Sequence, residues 1–182
     1  MVNNFLNTQG FEKNILLDTR YLKNIDYIQV EEAILSIVSS IERNIDYILE
    51  SNAKDLLFYI KNSVCRSIIS NIRLDEFMLK KTLDKVTNMA RSNSSDGIII
   101  SQWCEQEKIN KKKVNTNIGE IELIYENRLF IIIECLAFYF KNRGFIIIQN
   151  NGFANLTIQS ILLSIQDGLF ECKLPKNIVG LV

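Results

Sequence analysis

Three consecutive lysines, Lys111, Lys112 and Lys113, precede Asn115, Thr116 and Asn117. Lysine ammonium groups suit phosphate oxygens, and Asn and Thr side chains can bond to base edges. The spacing around them matches a helix-turn-helix over residues 101–118. Trp103 and Cys104 would lie in a first helix, Ile109 at the turn, and Asn110 at the cap of a second helix. Val114 and Ile118, four apart, would hold that second helix to a core. The match is partial. Lys108 stands where such turns use Gly, Glu107 where an apolar residue is usual, and Glu105, Glu120 and Glu122 add negative charge nearby. A solvated loop or helix end explains the same run.

Glu134 is the second candidate. It interrupts the most apolar run in the chain, Leu129 to Phe140, and on a helix its neighbours are Phe130, Ile131, Ala137 and Phe138. A buried carboxylate without a partner is costly. Glu134 is therefore either a functional acid or a structural residue, which marks the one wet line on an otherwise buried helix or pairs with a Lys or Arg from the N-terminal helices, and the structural reading is favoured. Together with Phe130, Phe138 and Tyr139 it forms the surface expected to meet a protein partner.

Other chemistry is thin. Asn150-Asn151-Gly152-Phe153 falls between an expected strand and a helix N-terminus, a geometry that can hold phosphate. Neither GxGxxG nor GxxxxGK occurs, so a plain β-turn-α connection is expected. Glu120 and Glu122 share one strand face, but two carboxylates do not define a metal site. The absence of histidine excludes Ser-His-Asp and Cys-His catalysis and imidazole metal sites. Four cysteines, at 65, 104, 135 and 172, make no CxxC pair and read as reduced core residues. No metal and no cofactor is called for.

Composition bounds the rest. The 182 residues carry 21 Lys plus Arg and 21 Asp plus Glu, so net charge is zero. That argues against whole-molecule attraction to nucleic acid or anionic lipid and mildly favours a partnered state. Unpaired cysteines point to a reducing, cytoplasmic compartment. The N-terminus lacks the basic and apolar regions of a secretory signal. The central run falls short of the roughly 20 apolar residues a membrane span needs.

The elements that would position these residues are mostly helical. Val30 to Glu50 shows one apolar helix face, with Ser51 and Asn52 as a break and cap. A second helix follows, with Leu56, Leu57, Ile60, Val64, Ile68 and Ile72 inward. Asp75 caps a third, with Leu79, Leu83, Val86, Met89 and Ala90 inward. Residues 92–97 are small and polar and mark a boundary. Strands are expected at 98–100, 120–125 and 145–148. The central helix, 128–142, should stop at a left-handed Gly144 after Lys141 and Arg143. Asn155 should cap a last helix ending near Gly168.

The expected fold is α-rich α+β: an N-terminal antiparallel helical bundle, 1–92, and a smaller mixed α/β part, 98–182, packed on the central apolar helix. The expected function is a non-enzymatic interaction module, a small helical subunit or adaptor of a larger assembly. The alternative is a helix-turn-helix nucleic-acid binder.

Overall fold

The computed structural model describes residues 25–92, 99–105, 109–114, 120–125, 129–150 and 152–181. The sequence readings for residues 1–24, and for Asn115, Thr116 and Asn117, lie outside them. The described chain is rich in helix.

Helix α1 (Tyr27–Arg43) opens on a capping box. The Asp26 carboxylate accepts from the Gln29 backbone N–H at 2.7 Å, and the Gln29 side chain returns to the Asp26 N–H. Its buried stripe is Val30, Ala33, Ile34, Ile37, Val38 and Ile41.

The expected single helix from Val30 to Glu50 is broken at Asn44, and α2 (Ile45–Lys61) runs straight through Ser51 and Asn52. Those two residues are buried in mid-helix rather than forming a cap. The reason is a polar buried face. Ile45, Ile48, Asn52, Asp55 and Tyr59 recur at three-four spacing and all point inward. Because three of the five are polar, hydrophobic periodicity selects the wrong face. Leu57 and Ile60, expected inward, are 57% and 58% exposed.

Helix α3 (Arg66–Ile72) and helix α4 (Glu76–Arg91) follow. Asp75 caps α4, accepting from Met78 N–H at 2.7 Å, and Leu79, Leu83, Val86 and Ala90 are buried.

Strands β1 (Ile99–Glu105) and β2 (Ile109–Val114) form an antiparallel hairpin, with Trp103 opposite Lys111 and Glu105 opposite Ile109. This corrects the helix-turn-helix reading of residues 101–118. Starting a helix of six or seven residues is unfavourable without a packed face. Two segments three residues apart can instead satisfy each other's backbone as a hairpin.

The remaining elements alternate: β3 (Glu120–Tyr125), α5 (Leu129–Lys141), β4 (Phe145–Asn150), α6 (Asn155–Glu171), a 3₁₀ turn at Lys176–Ile178, and β5 (Val179–Leu181). The three strands form a parallel sheet in the order β3-β4-β5. Glu120 pairs with Phe145 through to Tyr125 with Asn150, and Ile146 pairs with Val179. Parallel neighbours need crossovers, which α5 and α6 provide.

One hydrophobic cluster runs through both halves of the chain. Helix α1 lies against α4, α5 and α6, and α2 lies against α6. The apolar run is indeed a buried helix: Leu129, Ile132, Ile133, Leu136, Ala137 and Phe140 of α5 are all covered. It stops one residue earlier than expected. Arg143, not Gly144, takes the left-handed conformation (φ 56°), and Gly144 N–H closes back on Tyr139 O at 2.8 Å. Lys141, at the end of α5, donates to the Met89, Ala90 and Ser92 carbonyls at the end of α4. No described helix is long and apolar enough to cross a membrane.

Candidate functional site

In open parallel sheets, ligands meet the protein at the carboxyl ends of the strands. In this chain that edge carries the turn from β4 into α6. Gly152 is at φ +91° with open space where a Cβ would stand, and Ala154 is left-handed at φ 54°. The last residue before the helix is Ala154, which has no side chain able to cap it. The expected cap, Asn155, is instead the first helical residue.

The cap comes from the other half of the chain. Asp55 of α2 reaches the start of α6, where one carboxylate oxygen accepts from Thr157 N–H at 2.8 Å and from the Thr157 hydroxyl at 2.6 Å. Its second oxygen takes Leu156 N–H at 3.4 Å. One turn further along α2, the Tyr59 hydroxyl accepts from Ala154 N–H at 3.0 Å and donates to Gly152 O at 3.3 Å. Its ring stands against Phe153.

Asn52 completes the network. Its amide nitrogen donates to Ile72 O at 2.8 Å and to the Thr157 hydroxyl oxygen at 3.2 Å, while its oxygen accepts from Leu74 N–H at 2.9 Å. Thus α2, the α3–α4 turn and the start of α6 share one buried set of hydrogen bonds. Replacing Asn52 by Ala strands the Leu74 N–H and the Ile72 carbonyl, at about 1–3 kcal/mol for a buried group left unsatisfied. The expected result is a loss of about 2 kcal/mol, read from urea unfolding. A Gln replacement should not rescue it, because the extra methylene misplaces the amide.

These contacts decide what the edge can do. A helix N-terminus attracts anions through its free N–H groups. In α6 the Leu156 and Thr157 amides already serve a carboxylate that is only 6% exposed. A phosphate placed there would find two amides already bonded and a negative charge beside it. The exposed rim is apolar, with Phe58 and Leu156 both solvent-facing.

The sequence candidates fall elsewhere. Glu134 lies on α5 and pairs with Lys85 of α4 at 3.0 Å, both partly exposed. Phe130 and Tyr139 are half-buried, and Phe138 is 44% exposed. Lys111, Lys112 and Lys113 all lie on β2 of the hairpin. Among the described residues no group of three His, Cys, Asp or Glu could hold a metal ion.

The cysteines do not all lie in the core as expected: Cys65 is exposed, and Cys135 and Cys172 are half-buried. The Ser67 hydroxyl, 3.1 Å from the Cys65 sulfur, holds that thiol below its ordinary pKa. Burial, then the charge of Glu134, pushes Cys135 up. Reactivity follows the thiolate and its access. At about pH 7.5, iodoacetamide should therefore label Cys65 well before Cys135, as peptide mass mapping over time would reveal. Equal rates would contradict this placement.

Comparison with known proteins gives the wider setting. No family model matches the chain. Over 174 residues, 96% of its length, the chain is 27% identical to the gamma-glutamyl phosphate reductase of a Nitratiruptor species. Its fold is similar to these enzymes. The crystal structure of gamma-glutamyl phosphate reductase from Thermotoga maritima superposes with a TM-score of 0.85 at 20% identity, over 96% of this chain. The glyceraldehyde-3-phosphate dehydrogenase GapN from Methanocaldococcus jannaschii, solved with NADP, superposes with a TM-score of 0.67 at 13% identity, over 97% of this chain. The chain spans 42% of the length of the Nitratiruptor reductase and of the Thermotoga structure, and 37% of GapN.

The similar proteins are enzymes. This overturns the expectation of a non-enzymatic adaptor, and with it the helix-turn-helix alternative. Zero net charge and missing catalytic motifs describe only what the chain lacks. The alternation of β3, α5 and β4 is legible in the sequence as a polar-apolar strand at 120–125 and an apolar strand at 145–148 around an apolar helix.

Proposed function

We propose that this chain supplies the parallel β-α-β-α-β part, with its supporting helices, of a reductase fold acting on an acyl phosphate. The observation that carries this reading is the similarity to gamma-glutamyl phosphate reductase along 96% of the chain. In this reading α1, α2 and α4 form an antiparallel bundle, and the mixed part packs on it through α5 and α6.

Reducing an acyl phosphate places a hydride on the carbonyl carbon and expels phosphate, so the whole reaction needs a two-electron donor. The fold neighbour solved with NADP suggests a nicotinamide dinucleotide. The residues at the α6 N-terminus do not fit its phosphates, because Asp55 already occupies the Leu156 and Thr157 amides. What the chain's own residues do is structural: Asp55, Asn52 and Tyr59 fix the β4–α6 turn and so set the carboxyl edge of the sheet.

The test is a chimera in which this chain replaces the matched stretch of the Nitratiruptor reductase. A folded chimera should oxidise NADPH in a manner dependent on γ-glutamyl phosphate. A chimera that folds and melts cooperatively, yet shows no such turnover, would overturn the reading.

A further inference from the structure

Ala154 is the residue of the β4–α6 turn that its own chemistry explains least. It is fully buried, it carries a Cβ, and it stands left-handed at φ 54° and ψ 39°. That conformation is disfavoured roughly tenfold for a residue other than glycine, and asparagine or aspartate is the usual exception. Such a residue persists only where its surroundings over-determine it, and strained positions of this kind cluster at ligand clamps and switches.

The helix side of Ala154 is pinned. Asp55 holds the Thr157 N–H at 2.8 Å, and Ile158 N–H bonds Ala154 O at 2.9 Å. On the strand side one side chain does the holding. The Tyr59 hydroxyl accepts from Ala154 N–H and donates to Gly152 O. Tyr59 is itself buried, with its ring set between Phe58 and Phe153. Gly152, two residues before Ala154, has open space where a Cβ would stand, so the turn has room to rearrange on that side. The competing state is a right-handed Ala154, which lengthens α6 by one residue at its start.

We infer that the β4–α6 turn is a two-state element and that the Tyr59 hydroxyl is the latch that selects its left-handed state. Opening the latch releases the Ala154 amide and the Gly152 carbonyl from Tyr59 at the carboxyl edge, where open parallel sheets meet ligands. The latch does not depend on the reductase-fold reading above.

The test is ¹⁵N–¹H and ¹³C NMR of the full chain with Tyr59→Phe, Ala154→Gly and the two combined. In the wild type, Ala154 should give one set of resonances, with the Cα shift of left-handed backbone. Tyr59→Phe should move most of the Ala154 and Phe153 intensity to a second set with a right-handed Cα shift at Ala154, while Thr157 stays in place. Adding Ala154→Gly should restore a single set at Gly152 and Phe153, because glycine holds a left-handed turn without the latch. Loss of packing alone predicts no such rescue. Three results would overturn the inference: Tyr59→Phe leaves Ala154 left-handed, the combined variant still shows two sets, or Tyr59→Phe shifts Thr157 as much as Ala154. Should Tyr59→Phe not fold, melting decides. A combined variant that regains a cooperative transition supports the latch, and one that stays unfolded contradicts it.

Discussion

Replacing Asp55 by Ala should lower the melting temperature by roughly 6–12 °C. The Asp55 carboxylate is the cap of α6, and losing a helix cap costs about 0.5–2 kcal/mol. It also leaves the Thr157 hydroxyl and amide without their acceptor at a residue that is fully buried. A buried donor left unsatisfied adds about 1–3 kcal/mol. Together these give about 3 kcal/mol, and each kcal/mol moves the midpoint of a chain this size by about 2–4 °C. Asp55→Asn keeps an acceptor oxygen and should cost about half as much. The partner residue supplies the control. Thr157→Val removes the hydroxyl donor, so its effect and that of Asp55→Ala should be less than additive, because both break one network. Full additivity would show that the two side chains do not act together. Calorimetry on the four proteins of the cycle measures this.

Gly168→Val should be about as damaging, at about 3 kcal/mol or more. Gly168 lies inside α6, where a Cβ would stand 2.6 Å from Ile37 Cα and 2.9 Å from Ser36 O of α1. Those are backbone atoms, so no side-chain rotation relieves the clash, and overpacking of this kind typically costs about 1–3 kcal/mol. The neighbours of Gly168 on the same face are small as well. Ser160 and Ser164 are buried, and each turns its hydroxyl back to a carbonyl of its own helix. The Ser36 hydroxyl then reaches Gly168 O at 2.9 Å. This close crossing holds the N-terminal helices to the α/β unit. Gly168→Ala should also destabilise, but less, since alanine regains about 1 kcal/mol of helix propensity. Urea unfolding midpoints should rank wild type, then Ala, then Val. An Ala variant more stable than wild type would mean the crossing is looser than described.

Sequence reasoning reached the elements whose apolar pattern is simple. Helix α4, capped by Asp75, and helix α5 with its buried Leu129 to Phe140 run are examples, since their inward residues are aliphatic or aromatic at helical spacing. It failed where burial is polar. Ser51 and Asn52 look like a helix break because their side chains usually compete for backbone bonds. Here Asn52 bonds the Ile72–Leu74 turn and Thr157, partners 20 to 105 residues away, which no local pattern shows. The same holds for Asp55, which caps a helix a hundred residues on. Gly168 reads as a helix end because glycine favours stops. It is instead a contact point, visible only once α1 is seen to cross there. The lysines of β2 misled for another reason: Ile109, Asn110 and Val114 fit a short helix and a hairpin strand equally well.

The candidate edge was half legible. Asn150 to Phe153 mark a β-turn-α connection in the sequence, a geometry that can hold phosphate. What could not be read is that the helix amides are already in use, because Asp55 comes from a different part of the chain.

That point is open to a direct measurement: ¹⁵N–¹H NMR of the full chain, titrated with inorganic phosphate and then followed by amide exchange. The expected result is that the Leu156 and Thr157 resonances stay in place with millimolar phosphate and exchange as slowly as the core amides of α1. Phosphate-dependent movement confined to those two resonances, or rapid exchange at both, would contradict an α6 N-terminus closed by Asp55.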